Sequence, residues 1–216
     1  MNAFQNADGS VLLSQRIYDI APDTAVQAGA VVVLNAGKVE AAAAAQTGEI
    51  LGIAAEGHSG EVDAINPRSN GKEILVHDGP NMIMSCKAPT MAATGGSVTT
   101  FVCTDLAAFA DNDFKGGFIR LVSKGEESTN TDALGTVREI SASAGSSKTF
   151  TVNEGGKICA GDVYEIYPPI GFKKGNLSAD RTALVLTATA ALALKVVINR
   201  REGCIGLMAA SHALAN

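Results

Sequence analysis

The sequence predicts an all-β or mainly β protein, built as antiparallel sandwich or barrel modules with at most short helices. Three observations predict it. Short β-branched runs bounded by Gly, Asn or Asp recur roughly every 8 to 15 residues, the spacing of sandwiches and barrels. Apolar residues at i, i+3 and i+4, the signature of an amphipathic helix, are hard to find anywhere. The composition is 46% hydrophobic but only 5% aromatic, with 23 glycines and no tryptophan, which suits thin β layers and tight turns. At 216 residues the chain makes one large domain or two small ones and buries roughly 70% of its unfolded surface.

The elements follow in chain order. Met1 to Asp23 is polar and reads as an extended arm, the greater part of an N-terminal region 1–27. A first β module spans 28–92. In it AVVVLN is a strand, Asn35-Ala36-Gly37-Lys38 a turn, and Val39 opens a second strand. The five alanines Ala41 to Ala45 favour a helix by propensity. They lack apolar partners at helical spacing and Gly48 stops them, so the expectation is a strand end plus loop. GEILGIAAEG and GKEILVHDG are strands between glycines, and NMIMSCKAP follows GKEILVHDG as its neighbour across the His77-Asp78-Gly79-Pro80 turn.

A second module spans 93–170, the boundary falling in the Pro- and Gly-containing loop PTMAATGGS, Pro89 to Ser97. SVTTFVCTDL is its first strand, followed by Phe118 to Ser123, Gly135 to Ser141 and Lys148 to Val152, then DVYEIYPP closed by Pro168-Pro169. The last region, 171–216, offers a choice. Arg181 to Leu194 has some helical character, but a hairpin is preferred, with LKVVINR and CIGLMAASHAL joined at Arg201-Glu202-Gly203. Its apolar residues are Val196, Ile198, Ile205 and Leu207. Ala28-Gly29-Ala30-Val31 is echoed by Ala160-Gly161-Asp162-Val163, read as a shared strand-opening signal in preference to two related modules.

Net charge is −5 and no Lys/Arg run exceeds two, which argues against nucleic acid as a partner. No basic-then-apolar signal opens the chain. Thr182 to Ile198, the most apolar stretch, is interrupted by Thr187, Thr189 and Lys195, which argues against a membrane span. Cys86, Cys103, Cys159 and Cys204 are widely spaced without a CxxC or a nearby His pair, so free thiols are expected and no metal site. No GxSxG, GxxxxGK[ST] or GxGxxG frame occurs, and no cofactor is expected. His58-Ser59 reads as a surface turn. His77 and Asp78 are adjacent, and adjacent strand residues face opposite ways, so a turn is preferred to an acid–base pair. Asp111-Asn112-Asp113 lacks the rest of a calcium loop, and Glu126-Glu127 reads as a solvated turn.

The succession Ala28-Gly29-x-Val31, Asn35-x-Gly37-Lys38-Val39 and Gly48-x-Ile50-Leu51-Gly52-Ile53-Ala54 resembles the capsid decoration, or cement, proteins of tailed bacteriophages. GGFIRLVS, GTVREI, KTFTV, GDVYEIYPPIG and the terminal LKVVINRREGCIGLMAASHALAN are similar to β domains of phage head and tail proteins. The likeness is one of pattern, covering about two-thirds of the chain. The chain is longer than the smallest decoration proteins and lacks a long Pro-rich arm. The resemblance implies a virion protein made in the host cytoplasm. It would bind the outside of the expanded capsid and clamp neighbouring major capsid protein subunits, as a homotrimer or homodimer. By mass action such a protein stabilises whatever lattice state it binds. The implied contact elements are the arm, with Asn2, Phe4, Arg16 and Tyr18, and the terminal strand, with Cys204, Ile205, Leu207 and His212. Two alternatives are a tail-tube or baseplate component, and a carbohydrate-binding sandwich, for which Tyr164 and Tyr167 are the sole stacking candidates. An enzyme ranks last.

Overall fold

The computed structural model describes the backbone of residues 2–6, and residues 14–21, 23–59, 72–187, 191–199, 203–210 and 213. Every regular element among them is a strand, so the all-β expectation holds. No described helix is long and apolar enough to cross a membrane. The described strands form sheets of seven, five and four strands and two two-stranded pairs around a large core and a satellite core.

The first sheet has the order Gln15–Asp19, Glu73–His77, Gly52–Ala54, Val31–Asn35, Lys38–Ala41. Its outer strands meet: Ile20 bridges Val39 in parallel, and the Ala21 N–H donates to the Val39 carbonyl at 3.1 Å. The sheet therefore closes into a small barrel, the arrangement that removes exposed edges. Small and β-branched side chains fill it, among them Ala30, Val32, Val39, Leu51, Ile74 and Val76. The alanine run behaves as expected. Ala41 ends a strand, and Ala42 to Ala45 are loop and turn.

The second sheet has seven strands, in the order Thr90–Ala92, Val163–Tyr167, Phe118–Ser123, Val137–Ala144, Thr149–Val152, Thr100–Val102, Gly95–Gly96. Its two outer strands are consecutive pieces of one bent run. The Ala93 N–H donates to the Asp162 carbonyl at 2.7 Å on one side, and the Thr94 N–H to the Val102 carbonyl at 2.8 Å on the other. This sheet also curls shut. Inside it Phe101 stacks on Phe150 with centroids 5.4 Å apart and meets Tyr164 edge-on at 5.4 Å. Phe114, 4.8 Å from both Phe150 and Phe172, carries the ring cluster out toward the last region of the chain.

The third sheet orders Asn2–Asn6, Met82–Lys87, Cys204–Ala209, Leu194–Ile198. The C-terminal hairpin is as expected, with Val196 opposite Leu207, and no helix occupies the described part of 181–194. One reading needs correction. Met82–Lys87 is not the neighbour of Glu73–His77, because the turn at Asp78-Gly79-Pro80 carries the chain into a different sheet. Within the N-terminal region read as an arm, residues 2–6 pair with Met82–Lys87 and Gln15–Asp19 with Glu73–His77.

Adjacent residues tie the parts together. Val32 points into the small barrel while Val31, on the opposite face, joins the large core with Ile50 and Ile53. The Val31 N–H donates to the Arg181 carbonyl at 3.0 Å, and Arg181 Nε donates to the Ala42 carbonyl. The internal echo is also structural. Gly29 and Gly161 have φ of 82° and 84°, the left-handed backbone that favours glycine. Gly29 N–H bonds Ala54 O while Ala54 N–H bonds Ala30 O; Gly161 N–H bonds Ala93 O while Ala93 N–H bonds Asp162 O. One strand-opening turn thus starts a strand in each barrel.

Phe150 is fully buried at the centre of the ring cluster, so Phe150→Ala should lower the unfolding free energy by about 3 to 5 kcal/mol. Urea unfolding of the two proteins measures this. A loss under 1 kcal/mol would mean the rings do not organise the second barrel.

Candidate functional site

Among the described residues polar side chains gather at three places, the first two beside strand ends and the third within a strand. The first is Asp78, 1% exposed, directly after Glu73–His77. Ser14 Oγ and Tyr18 OH each donate to it at 2.5 Å, and Arg16 Nε lies 3.3 Å away. All three donors come from one short segment, so one carboxylate fastens the edge strand of the small barrel. Burial, then the hydrogen bond to Asp78 and its charge, push the Tyr18 hydroxyl up to about 12. His77 points the other way, toward Gln15. The two side chains are separated as expected, but Asp78 is more than a turn residue.

The second place closes one end of the large barrel. Asp162 is fully buried and accepts from Gly125 N–H at 3.0 Å, Cys159 N–H at 3.0 Å and Asn130 Nδ2 at 2.9 Å. Asn130 also donates to Tyr164 OH at 2.9 Å. Burial pushes the Asp162 carboxyl up, yet hydrogen bonds from Ser128, Asn130 and the two backbone amides outweigh it and leave it below the ordinary value. Beside it Arg138, also buried, donates to Asp132 and to the carbonyls of Val98 and Gly156.

The third place is Glu165. Arg120 Nη1 at 2.9 Å and Tyr167 OH at 2.6 Å both donate to its Oε2, and Gly203 N–H donates to Tyr167 OH at 2.7 Å. Burial and then Glu165 push Tyr167 up to about 12, and burial with the charge of Asp162 does the same to Tyr164. Glu165 borders an open groove of about 740 Å³, walled by Lys87 to Met91 on one side and Ala183 to Leu186 on the other.

These groups hold loops. Asp111 and Asp113 do likewise, accepting from Gly145 N–H at 2.9 Å, and from Ala110 N–H at 2.7 Å and Lys174 Nζ at 2.6 Å. Among the described residues no three His, Cys, Asp or Glu are grouped so as to hold a metal ion. All four cysteines are free thiols. Burial pushes Cys86 up to about 11 and raises Cys103, which keeps both protonated and unreactive. Hydrogen bonds from Thr129 lower Cys159.

The expected contact residues scatter. Ile205 and Leu207 are each 1% exposed and belong to the large core, so they are corrected from contacts to packing residues: their strand lies between two others and turns them inward. Tyr18 leans into the small core with its hydroxyl on Asp78, whereas Arg16 reaches Asp78 from an exposed position. Cys204 is exposed at the groove. Asn2 and Phe4 lie on the Asn2–Asn6 strand, and His212 lies outside the described residues. His58 is buried rather than a surface turn, its Nδ1 3.1 Å from the Thr24 carbonyl. Asp78, Asp162, Asn130 and Arg138 were not singled out by sequence reasoning as buried anchors. No protein-family profile matches the sequence, and no curated protein or solved structure matches it.

The three tyrosines, the full complement of the chain, all have hydroxyls raised to about 12. A raised value means that the protonated form is favoured by folding. That stability is complete below the unfolded value near 10 and is lost as pH climbs through about 12. Absorbance at 295 nm should therefore show almost no tyrosinate at pH 10 in the native protein and a rise only on unfolding. Half-ionisation at pH 10 would contradict the buried networks.

Asp162 has the opposite sign. Its folded value is depressed, so its contribution is present above the ordinary 3.8 and fades as pH falls through the lower folded value. Asp162→Asn should cost on the order of 3 kcal/mol at pH 7, with the gap from wild type narrowing as pH falls below the ordinary carboxylate value. A pH-independent gap would place the effect in packing instead.

Proposed function

We propose that this chain is a virion structural protein that binds the outside of an expanded phage capsid and clamps neighbouring major capsid subunits. One observation carries the reading. Residues 28–54, which hold the resemblance to decoration proteins, supply three strands of a closed barrel with its own core, the compact β module that the resemblance implies. The buried carboxylates support the same reading, because each is taken up in fastening a loop or strand, as a mechanically loaded scaffold needs. A shell stretched by packed DNA is stabilised by anything that binds only its expanded state, and adhesion through many repeated sites needs no reactive centre.

The proposed contacts shift from the buried faces of Ile205 and Leu207 to side chains that remain exposed, including Arg16 and Cys204. Removing residues 1–20 is a poor probe of the arm, since it strips Ser14, Arg16 and Tyr18 from Asp78. The intact protein should instead be mixed with expanded and unexpanded heads of the phage that encodes it, and bound protein measured by co-sedimentation. Saturable binding to expanded heads alone, with greater resistance of those heads to heat, is the expected result. Equal binding to both forms, or to neither, would end the proposal.

A further inference from the structure

The bent run that closes the large barrel leaves a gap in its ladder. Odd-numbered residues of this run face Val163–Tyr167: Pro89 O accepts from Ile166 N–H at 2.8 Å, and Ala93 N–H donates to Asp162 O at 2.7 Å. In an antiparallel pair the intervening residues turn their N–H and C=O groups to the opposite edge. Along that edge Ala88 N–H reaches Gly203 O at 2.9 Å, and Thr94 N–H reaches Val102 O at 2.8 Å. Between these two bonds lie Thr90 and Ala92, whose main-chain groups have no hydrogen-bond partner among the described residues. The open groove begins there, with Met91 beneath it and Leu184 and Leu186 in the facing wall.

We propose that this slot is a docking site for an extended segment of a partner polypeptide, added as a strand to the Thr90–Ala92 edge. Among the described residues four main-chain groups, two donors and two acceptors, have no partner strand on that side, and unpaired sheet edges with apolar side pockets are what strand addition uses. From Ala88 to Thr94 the edge runs about 20 Å at ~3.3 Å per residue, room for a strand of about five residues. Such a strand buries a few hundred Å², well below the ~1,200 Å² of a stable pair of proteins. The area therefore favours a contact repeated many times over a self-contained dimer of this chain. Lys87, exposed at one end of the groove, selects an acidic residue at that end of the incoming strand, and alternate aliphatic residues would face the half-buried Ala183 and Val185. The slot rests on the adhesive reading only in taking a protein partner as its occupant.

Hydrogen exchange and amide chemical shifts of the full chain test this without any capsid, so its failure and that of head binding are separable. In the free protein the Thr90 and Ala92 amides should exchange at least tenfold faster than Ala93. The hexapeptide acetyl-SVTVEV-amide should then slow both amides tenfold or more, saturably, with shifts confined to the groove. The same peptide N-methylated at alternate residues should have no effect. Thr90→Pro removes a groove-facing N–H that the internal ladder does not use, and should abolish binding while the melting temperature stays near wild type. Four results would each overturn the assignment: protected Thr90 and Ala92 amides in the free protein, no saturable shift with the peptide, equal binding of the N-methylated peptide, or shifts that depend on protein concentration alone. The last of these would make a second copy the occupant. Should Thr90→Pro fail to fold, the contrast between the two peptides on the wild-type protein still decides the matter.

Discussion

A carboxylate taken out of water must find its hydrogen bonds within the protein, and this requirement shapes both barrels. Asp78 and Asp162 are almost completely buried. Burial alone disfavours their charge by several kcal/mol per ion, so the fold keeps the donors in place: two hydroxyls and a guanidinium around Asp78, two backbone amides and an asparagine around Asp162. Around Asp78 the donors come from a segment 60 or more residues away, and around Asp162 Gly125 and Asn130 are distant while Cys159 lies three residues before it. Losing the carboxylate leaves those donors buried or loosens the segment that bears them. A protein with few aromatic residues, whose small barrel is filled by alanines and valines, gains from these fastenings an order that thin packing would not impose by itself.

The strands were legible because their signals are local. The strand expected at Gly135 to Ser141 is found at Val137–Ala144, and the Asn35-Ala36-Gly37-Lys38 turn joins two strands as expected; both are encoded within a few residues. Which strand pairs with which was less legible. Nothing in Asp78-Gly79-Pro80 states that the chain leaves one sheet for another, and the closure of each sheet depends on contacts such as Ile20 with Val39 that are far apart in sequence. The buried carboxylates were missed for a related reason. An aspartate after a strand and before Gly-Pro has the local appearance of a turn, and only the return of Ser14 and Tyr18 from 60 or more residues away reveals its burial. The terminal strand was recognised, but its position between two other strands turns Ile205 and Leu207 inward, a pairing no local pattern states.

The echo between Ala28-Gly29-Ala30-Val31 and Ala160-Gly161-Asp162-Val163 links the two scales. At each site a glycine with positive φ turns the chain into a strand, and the next residue receives the N–H of an alanine on the partner strand. The small barrel places Ala30 where the large barrel places Asp162. The alanine lies in the apolar core of the small barrel, while the aspartate draws in Asn130 and the loops that carry Cys159 and Gly125. One backbone device thus serves an apolar core in one unit and a polar cap in the other.

Edges decide how such a protein meets others. Closed sheets hide their edges, and the outer side of Leu194–Ile198 is covered as well, through Val196 N–H to Phe172 O and Gly171 N–H to Val196 O. The exposed apolar side chains, such as Ile17, Leu134 and Ile170, are dispersed over different elements, and scattered side chains of this kind do not make an adhesive patch. Main-chain pairing is a different means of adhesion. It works with short contacts, needs little sequence identity in the partner, and gains strength from repetition instead of area. Among the described residues the chain buries Asp78 and Asp162 and curls two of its sheets shut, while Thr90–Ala92 remains at the end of its sheet with a partner strand on one side only, the kind of edge on which main-chain pairing acts.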